Sequence, residues 1–216
     1  MDSFPQHPPI RYLVLVLILL LSLPAAAQRN NIDCGELQNA YGPWDYTNPE
    51  HYQHKLPIVT ANHFTPEVAN LIRGQSAPIE KDLDYTLRAF PNHYRALNAM
   101  ARLQRRNPEL VDSSDIYSAP CYFKRALQFK DDPTLRMLYA MHLQLMGQLT
   151  DARTQYETAL KMGSESVELR YNYGLLLTEL KEYPLAQEQA QKAYAGGYPL
   201  PGLKEKLRAV NHWPGD

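Results

Sequence analysis

An all-α solenoid of helical hairpins, with an irregular N-terminal arm and a C-terminal capping helix, is the fold class this sequence predicts. Three observations predict it. First, the stretch 133–198 says the same thing twice: Ala140, Gly147, Ala152 and Ala159 recur as Gly174, Lys181, Ala186 and Ala193, each 34 residues further on. A fixed period of this size is the mark of a helical repeat. Second, each period carries apolar and small residues at helical spacing. Ala152, Tyr156 and Ala159 lie at i, i+4 and i+7, one stripe on one helix. A coiled-coil seam carries such a stripe too, but turns that break the pattern every period argue against it. Third, strand signals are nearly absent. Leu56-Pro57-Ile58-Val59 is the one candidate, and Pro57 weakens it.

The two periods resemble the tetratricopeptide repeat (TPR) family. The residues that carry the resemblance are Tyr139-Ala140, Leu143, Gly147, Ala152, Tyr156 and Ala159, then Asn172-Tyr173-Gly174, Leu177, Tyr183, Ala186 and Ala193. The most regular units are 133–164 and 167–198. The family's first-helix Trp is replaced by Arg136 and Arg170, and its closing Pro by Ser164 after the first unit. Small residues at Ala140 and Gly174 fit a close helix crossing, where a larger side chain would push the axes apart. The resemblance implies a TPR-like solenoid spanning 64–212 that binds a protein segment on its concave face.

Taken in order, the chain opens with Arg11, an unbroken apolar run from Leu13 to Leu21 and then Ala25-Ala26-Ala27-Gln28. This is the arrangement of a secretory signal peptide over 1–27, with cleavage after Ala27. The apolar run is shorter than the roughly 20 residues that span a bilayer. Localisation is therefore expected to be periplasmic or secreted; an uncleaved inner-membrane anchor is the alternative. Asn31-Ile32-Asp33 before Cys34 lacks the small apolar residues of a lipoprotein signal. Export places Cys34 and Cys121, the only two cysteines, in an oxidising compartment. A disulfide between them is expected, with two unrelated thiols as the other reading, and two cysteines so far apart suggest no zinc site.

Residues 28–63 are not repeat-like and are expected to form an arm. Tyr41-Gly42-Pro43-Trp44-Asp45-Tyr46 and Asn48-Pro49 mark turns. Three aromatics in six residues are too many for a disordered tail. They read as cover for apolar surface on the early helices, with an aromatic ligand platform as the rival. His51 and His54, three residues apart beside Glu50, are a weak metal signal without further ligands. A solvated loop is the simpler reading.

Thr65 with Pro66 and Glu67 starts a helix, and Gly74 lies near the end of that segment. Further helices are expected over about 78–90, 94–106 and 118–129, Pro91 stopping the first of these and Pro120 tolerated in the first turn of the last. The 107–117 insertion is longer than an ordinary helix–helix connection. Insertions of this kind are either neutral surface or a binding loop. After the last unit, Gly196-Gly197 and Pro199 end a helix. Residues 203–210 then form a cap with Leu203, Leu207 and Val210 on one side and Lys204, Lys206 and Arg208 off it.

Composition excludes more than it assigns. In 216 residues the net charge is −1, which implies neither nucleic acid nor an anionic membrane as partner. No phosphate loop, nucleophile elbow or HExxH helix is present. No cofactor and no catalytic residue are expected. The resemblance places the partner-binding positions on Arg95, Asn98, Arg102 and Arg105, on Met137, Met141 and Gln144, and on Tyr171, Asn172 and Leu175. Arg95, Asn98, Arg102 and Arg105 also share one helical face by spacing alone. Such a groove is basic at one end and Met-lined in the middle. It would suit a peptide with an acidic or C-terminal carboxylate end beside an apolar residue. The opposing reading makes the arginines a solvated face and the methionines core. A second class of function is an enzyme accessory or a small-ligand or metal-binding module built on the aromatic arm with His51, His54 or His63.

Overall fold

A computed structural model describes Met1 and residues 34–213, so the signal-peptide reading of 1–27 lies outside the described residues apart from Met1. Residues 34–213 belong to one compact unit. Among the described residues there are twelve helices and no strand: α1 (Pro49–His54), α2 (Leu56–His63), α3 (Pro66–Ala69), α4 (Ile79–Ala89), α5 (Tyr94–Arg106), α6 (Leu110–Ser113), α7 (Ala119–Phe129), α8 (Pro133–Leu145), α9 (Leu149–Lys161), α10 (Val167–Glu179), α11 (Tyr183–Ala195) and α12 (Gly202–Ala209). None of them is long and apolar enough to cross a membrane.

Two sequence expectations fail in the arm. Leu56-Pro57-Ile58-Val59 is the first turn of α2 rather than a strand: Pro57 occupies a position where its missing N–H is no loss, and Leu56 and Val59 pack three apart on one buried side. The 51–54 segment is helical rather than a loop. Asn48 caps α1 by accepting the Glu50 and His51 backbone N–H groups.

The repeats are built as the spacing requires. The helix pairs α5/α7, α8/α9 and α10/α11 stack in order, and α12 closes the array against α10 and α11. First helices touch along the array, α5 to α8, α8 to α10 and α10 to α12, while each second helix wedges against the next first helix. The row α5, α8, α10 is therefore the tighter, inner row.

Several structural details of one unit recur about one period later. Arg136 pairs with Asp131 and donates to Gln155 Oε1; Arg170 pairs with Glu165 and donates to Gln189 Oε1. Arginine thus bridges each of these helix pairs with charge-assisted bonds. Phe123 stacks on Tyr139, with centroids 5.1 Å apart, and Tyr156 stacks on Tyr173 at 5.5 Å, joining each second helix to the next first helix. The turn between paired helices uses the left-handed region at Gly147 (φ 73°) and, one period on, at Lys181 (φ 60°), which lacks a glycine's freedom. Gly174 sits where a Cβ would meet Leu203 Cδ2 at 2.5 Å, so the cap leaves no room for a side chain there.

The arm crosses α7 and reaches the N-terminal end of α5, where Tyr46 stacks on His93 and meets Tyr94 edge-on. Cys34 is bonded to Cys121, with Cα atoms 5.2 Å apart. One turn further on, Arg125 is 2% exposed and has no carboxylate partner among the described residues. Its Nη1 donates to the carbonyls of Cys34, Gly35 and Glu36 at 2.9, 3.1 and 2.7 Å, and its guanidinium lies over the Tyr117 ring. Tyr41, Trp44 and Tyr46 pack on Leu56, Val59, Ala89 and Phe90. Asp45 ties the arm to both early hairpins, accepting from Asn92 Nδ2 and from Lys130 Nζ, each at 2.7 Å. Burial pushes the Asp45 carboxyl up, but the bonds from Lys130, Asn92 and Thr47 outweigh it and hold the group well below the usual carboxylate range.

Candidate functional site

Three of the ten predicted partner-binding residues meet in one place. Asn98 and Arg105 from α5 and Met141 from α8 line a slot of about 40 Å³ between these two inner helices, together with Ala101, Phe123, Leu138, His142 and Leu145. The helix spacing explains the meeting. Asn98 and Arg105 stand seven apart on α5, and Leu138, Met141 and Leu145 stand at i, i+3 and i+7 on α8, so each set makes one face.

The electrostatics of this face are one-sided. α5 carries Arg95, Arg102, Arg105 and Arg106 and no acidic residue. Among the described residues none of the four forms an ion pair. Arg95 lies over the Phe64 ring at 5.7 Å. Burial, then the like charges of Arg102 and Arg106, push the Arg105 guanidinium below its ordinary value. The arginines of the regular repeats behave otherwise: Arg136, Arg153 and Arg170 are all paired with carboxylates.

The remaining predicted positions divide. Arg102 is half-buried beside Arg105. Met137 and Tyr171, at 5% and 7% exposure, are packed rather than presented: Met137 lies in the core and Tyr171 stacks on Tyr198 at 4.1 Å. The Met-lined middle thus reduces to Met141 with two leucines. Gln144 donates to Glu179 at 2.9 Å, Asn172 donates to the Glu168 carbonyl within its own helix, and Leu175 packs against the core. Sequence reading missed His142, Leu138 and Leu145. The signal for Leu138 and Leu145 was their three- and four-residue spacing around Met141.

The histidines of the rival reading are separately employed. His51 Nδ1 accepts the Asp45 backbone N–H at 3.1 Å and its ring meets Trp44 edge-on. His54 is exposed at the end of α1. His63 stacks on Tyr85 and its Nδ1 meets Asp82 Oδ1 at 2.9 Å. Asp82 is fully buried and its other oxygen accepts the backbone N–H groups of Gln75, Ser76 and Ala77. A cavity of about 450 Å³ opens here between α4 and the end of the insertion, lined by His63, Lys81, Asp84, Tyr85, Arg88 and Tyr117 among others. Gln104 pins the insertion, donating to the Tyr117 carbonyl at 2.8 Å and accepting from Ala119 N at 2.6 Å. Among the described residues no group of three or more His, Cys, Asp or Glu is placed to hold a metal ion.

Residues 140–200 match the tetratricopeptide repeat family. Over this span the chain is similar to tetratricopeptide repeats. The matched span runs from Ala140 through α9, α10 and α11. No curated protein and no solved structure matches the chain. Repeats of that family suggest a protein-interaction scaffold.

Proposed function

We propose that the protein is an exported TPR scaffold or adaptor that captures a protein segment on its inner face and helps assemble an envelope complex. The segment presents a carboxylate, acidic or C-terminal, next to an apolar residue. The observation that carries this reading is the row of arginines on α5, without acidic partners, beside an apolar slot. Like charges held together with no counter-charge are destabilising in the free protein, and an incoming carboxylate relieves them. Export is supported by the N-terminal pattern of residues and by the disulfide, a bond that persists in oxidising compartments. N-terminal sequencing of exported material should read from Gln28; an intact Met1 in the membrane fraction would refute cleavage.

Binding is tested with a peptide library displayed with free carboxyl ends and, in parallel, amidated. Peptides captured only in the free form should lose at least about tenfold in affinity with Arg102→Ala plus Arg105→Ala, and little with Arg153→Ala, whose charge is already paired. Equal capture of amidated peptides would remove the carboxylate from the reading. Raising salt should weaken capture, because these contacts are partly exposed.

The cavity under the insertion favours a second reading, a small-ligand site, since its volume falls in the range of such pockets. Its charges argue for less. Lys81 and Arg88 face Asp82, Asp84 and Asp115, and Asp84 already binds Arg88 and the Tyr122 hydroxyl. A thermal-shift screen of small ligands against His63→Ala and wild type separates the two readings.

A further inference from the structure

The charges around the cavity under the insertion are of two kinds, engaged and open. Lys81, Asp84, Tyr85 and Arg88 stand at i, i+3, i+4 and i+7 on α4 and line it together with Asp115, Ile116 and Tyr117. Two of the three carboxylates in the lining are engaged. Asp82 is fully buried; one oxygen accepts three backbone N–H groups and the other meets His63 Nδ1. Asp84 accepts from the Tyr122 hydroxyl at 2.6 Å and pairs with Arg88 Nε at 3.0 Å. The third carboxylate is open. Among the described residues Asp115 forms no ion pair, and neither does Lys81. The two residues nonetheless touch: Lys81 Nζ donates to the Asp115 backbone carbonyl at 3.3 Å. One cation and one anion are therefore neighbours in the cavity wall without being paired to each other. Much of the remaining lining is aromatic and already held. The His63 and Tyr85 rings stack with centroids 3.9 Å apart. Tyr117 lies under the Arg125 guanidinium at 4.8 Å and meets Tyr122 edge-on. Walls ordered before a ligand arrives lower the cost of binding it.

We propose that this cavity binds a free aromatic amino acid as its zwitterion, with the α-carboxylate on Lys81, the α-ammonium on Asp115 and the ring against Tyr85 and Tyr117. The proposal rests on the small-ligand reading of the cavity and names the class of ligand. An α-amino acid carries both charges on one carbon, so a single small molecule answers a neighbouring cation and anion. A simple anion would be set against Asp115, and a simple cation against Lys81; like charges brought together count against both. Each ionic contact is a charge-assisted hydrogen bond, and no proton or covalent bond changes hands. The volume of about 450 Å³ lies in the range of sites that enclose drug-sized molecules, so a single amino acid fits within it. The insertion supplies the anion and one aromatic wall, which gives its extra length a use.

The test titrates the full mature chain with L-phenylalanine, N-acetyl-L-phenylalanine and L-phenylalaninamide, followed by calorimetry and backbone amide shifts. L-phenylalanine should bind saturably and move the amides of 81–88 and 115–117, leaving those of Asn98 and Arg105 still. Each analogue lacks one charge and should bind at least about tenfold more weakly. Lys81→Met and Asp115→Asn should each weaken L-phenylalanine about tenfold with helicity unchanged. Asparagine tolerates the left-handed φ of 48° at position 115. If the acetyl or the amide analogue binds as well as the amino acid, the zwitterion is overturned and a small-ligand site survives. If none of the three binds, the proposal is overturned, and the thermal-shift screen decides the small-ligand reading by itself. Binding that neither substitution weakens would place the ligand elsewhere and overturn the assignment. Should a variant fail to fold, the three probes on the wild type decide alone.

Discussion

The two ends of the solenoid solve the same packing problem by different means. From Pro133 onward each helix pair is held by contacts that lie close in sequence and recur one period later: the arginine bridges, the tyrosine stacks, the left-handed turn. Before Lys130 almost nothing recurs, and the holding contacts span long distances in the chain. Cys34 reaches Cys121, Asp45 reaches Asn92 and Lys130, and Arg125 reaches the carbonyls of 34–36. The regular end spends its arginines internally, while the irregular end leaves four of them on α5 without a carboxylate. A repeat that satisfies itself is a good scaffold.

The sharpest way to break this comparison is to cut the staple. The disulfide has a sequence separation of 87, and in the chain-entropy model a loop of that size contributes about 4–5 kcal/mol. Cys34→Ser with Cys121→Ser should lose most of it in urea unfolding. Hydrogen exchange should show protection falling first in α4, α5 and α7 and last in α10 and α11. Equal loss at both ends would mean that the ends are one cooperative unit and the division drawn here is not energetic.

Acid should act on the same end. His93 is 2% exposed, caps α5 by accepting the Ala96 N–H, and stacks on Tyr46 at 4.2 Å. Burial pushes its imidazole down to about 3. The unfolded chain therefore binds the proton first. Stability from this group is fully present above the ordinary value near 6.5 and is lost as pH falls toward 3. Between pH 7 and 4 the loss should be about 3 kcal/mol. His142 acts in the same direction, and the depressed Asp45 adds loss at lower pH still. His93→Gln should flatten the profile from pH 6.5 to 4; an unchanged profile would assign the acid sensitivity elsewhere.

How much of this was legible in the sequence follows from the range of the contacts. The period, the small residues at Ala140 and Gly174 and the cap at 203–210 were readable because the helix spacing that creates them is local. The arm's covering role was readable from Tyr41, Trp44 and Tyr46, and its anchorage from the cysteine pair. The helical state of 56–59 was not, because a proline after a leucine looks the same before a helix as in a broken strand. Asn92, Lys130 and Arg125 gave no sign, since each works on a backbone or carboxylate more than forty residues away. Of the three predicted residues that line the slot, Asn98 and Arg105 share a helix face by spacing, while Met141 was implied only by the family resemblance. Met137 and Tyr171 were misplaced because the inner row is also the core wherever neighbouring units touch. His142 was hidden because the stacking on Phe123 that buries it depends on how α7 meets α8.

A smaller effect sharpens the account of the regular end. Gly174→Leu should cost about 1–3 kcal/mol, since its side chain must displace Leu203 of the cap. A variant as stable as wild type would mean that α12 moves aside at little cost. Smaller still is the cost of holding the arginines together. Arg102 and Arg105 stand three apart on α5, where like charges oppose each other by roughly 0.2–0.5 kcal/mol. Arg105→Ala should therefore leave the melting temperature unchanged or slightly raised at low salt, with any gain fading as salt is added. A clear loss would show that Arg105 is engaged in holding the fold.

The central claim is that this chain recognises its partner where the repeat is least regular. Mapping backbone amide shifts on titration with a captured free-carboxylate peptide tests it most directly. The account predicts perturbations concentrated on α5 and α8 around Asn98, Arg105 and Met141, with α11 and α12 silent. Perturbations centred on α10 to α12, or on the outer side under the insertion, would contradict it.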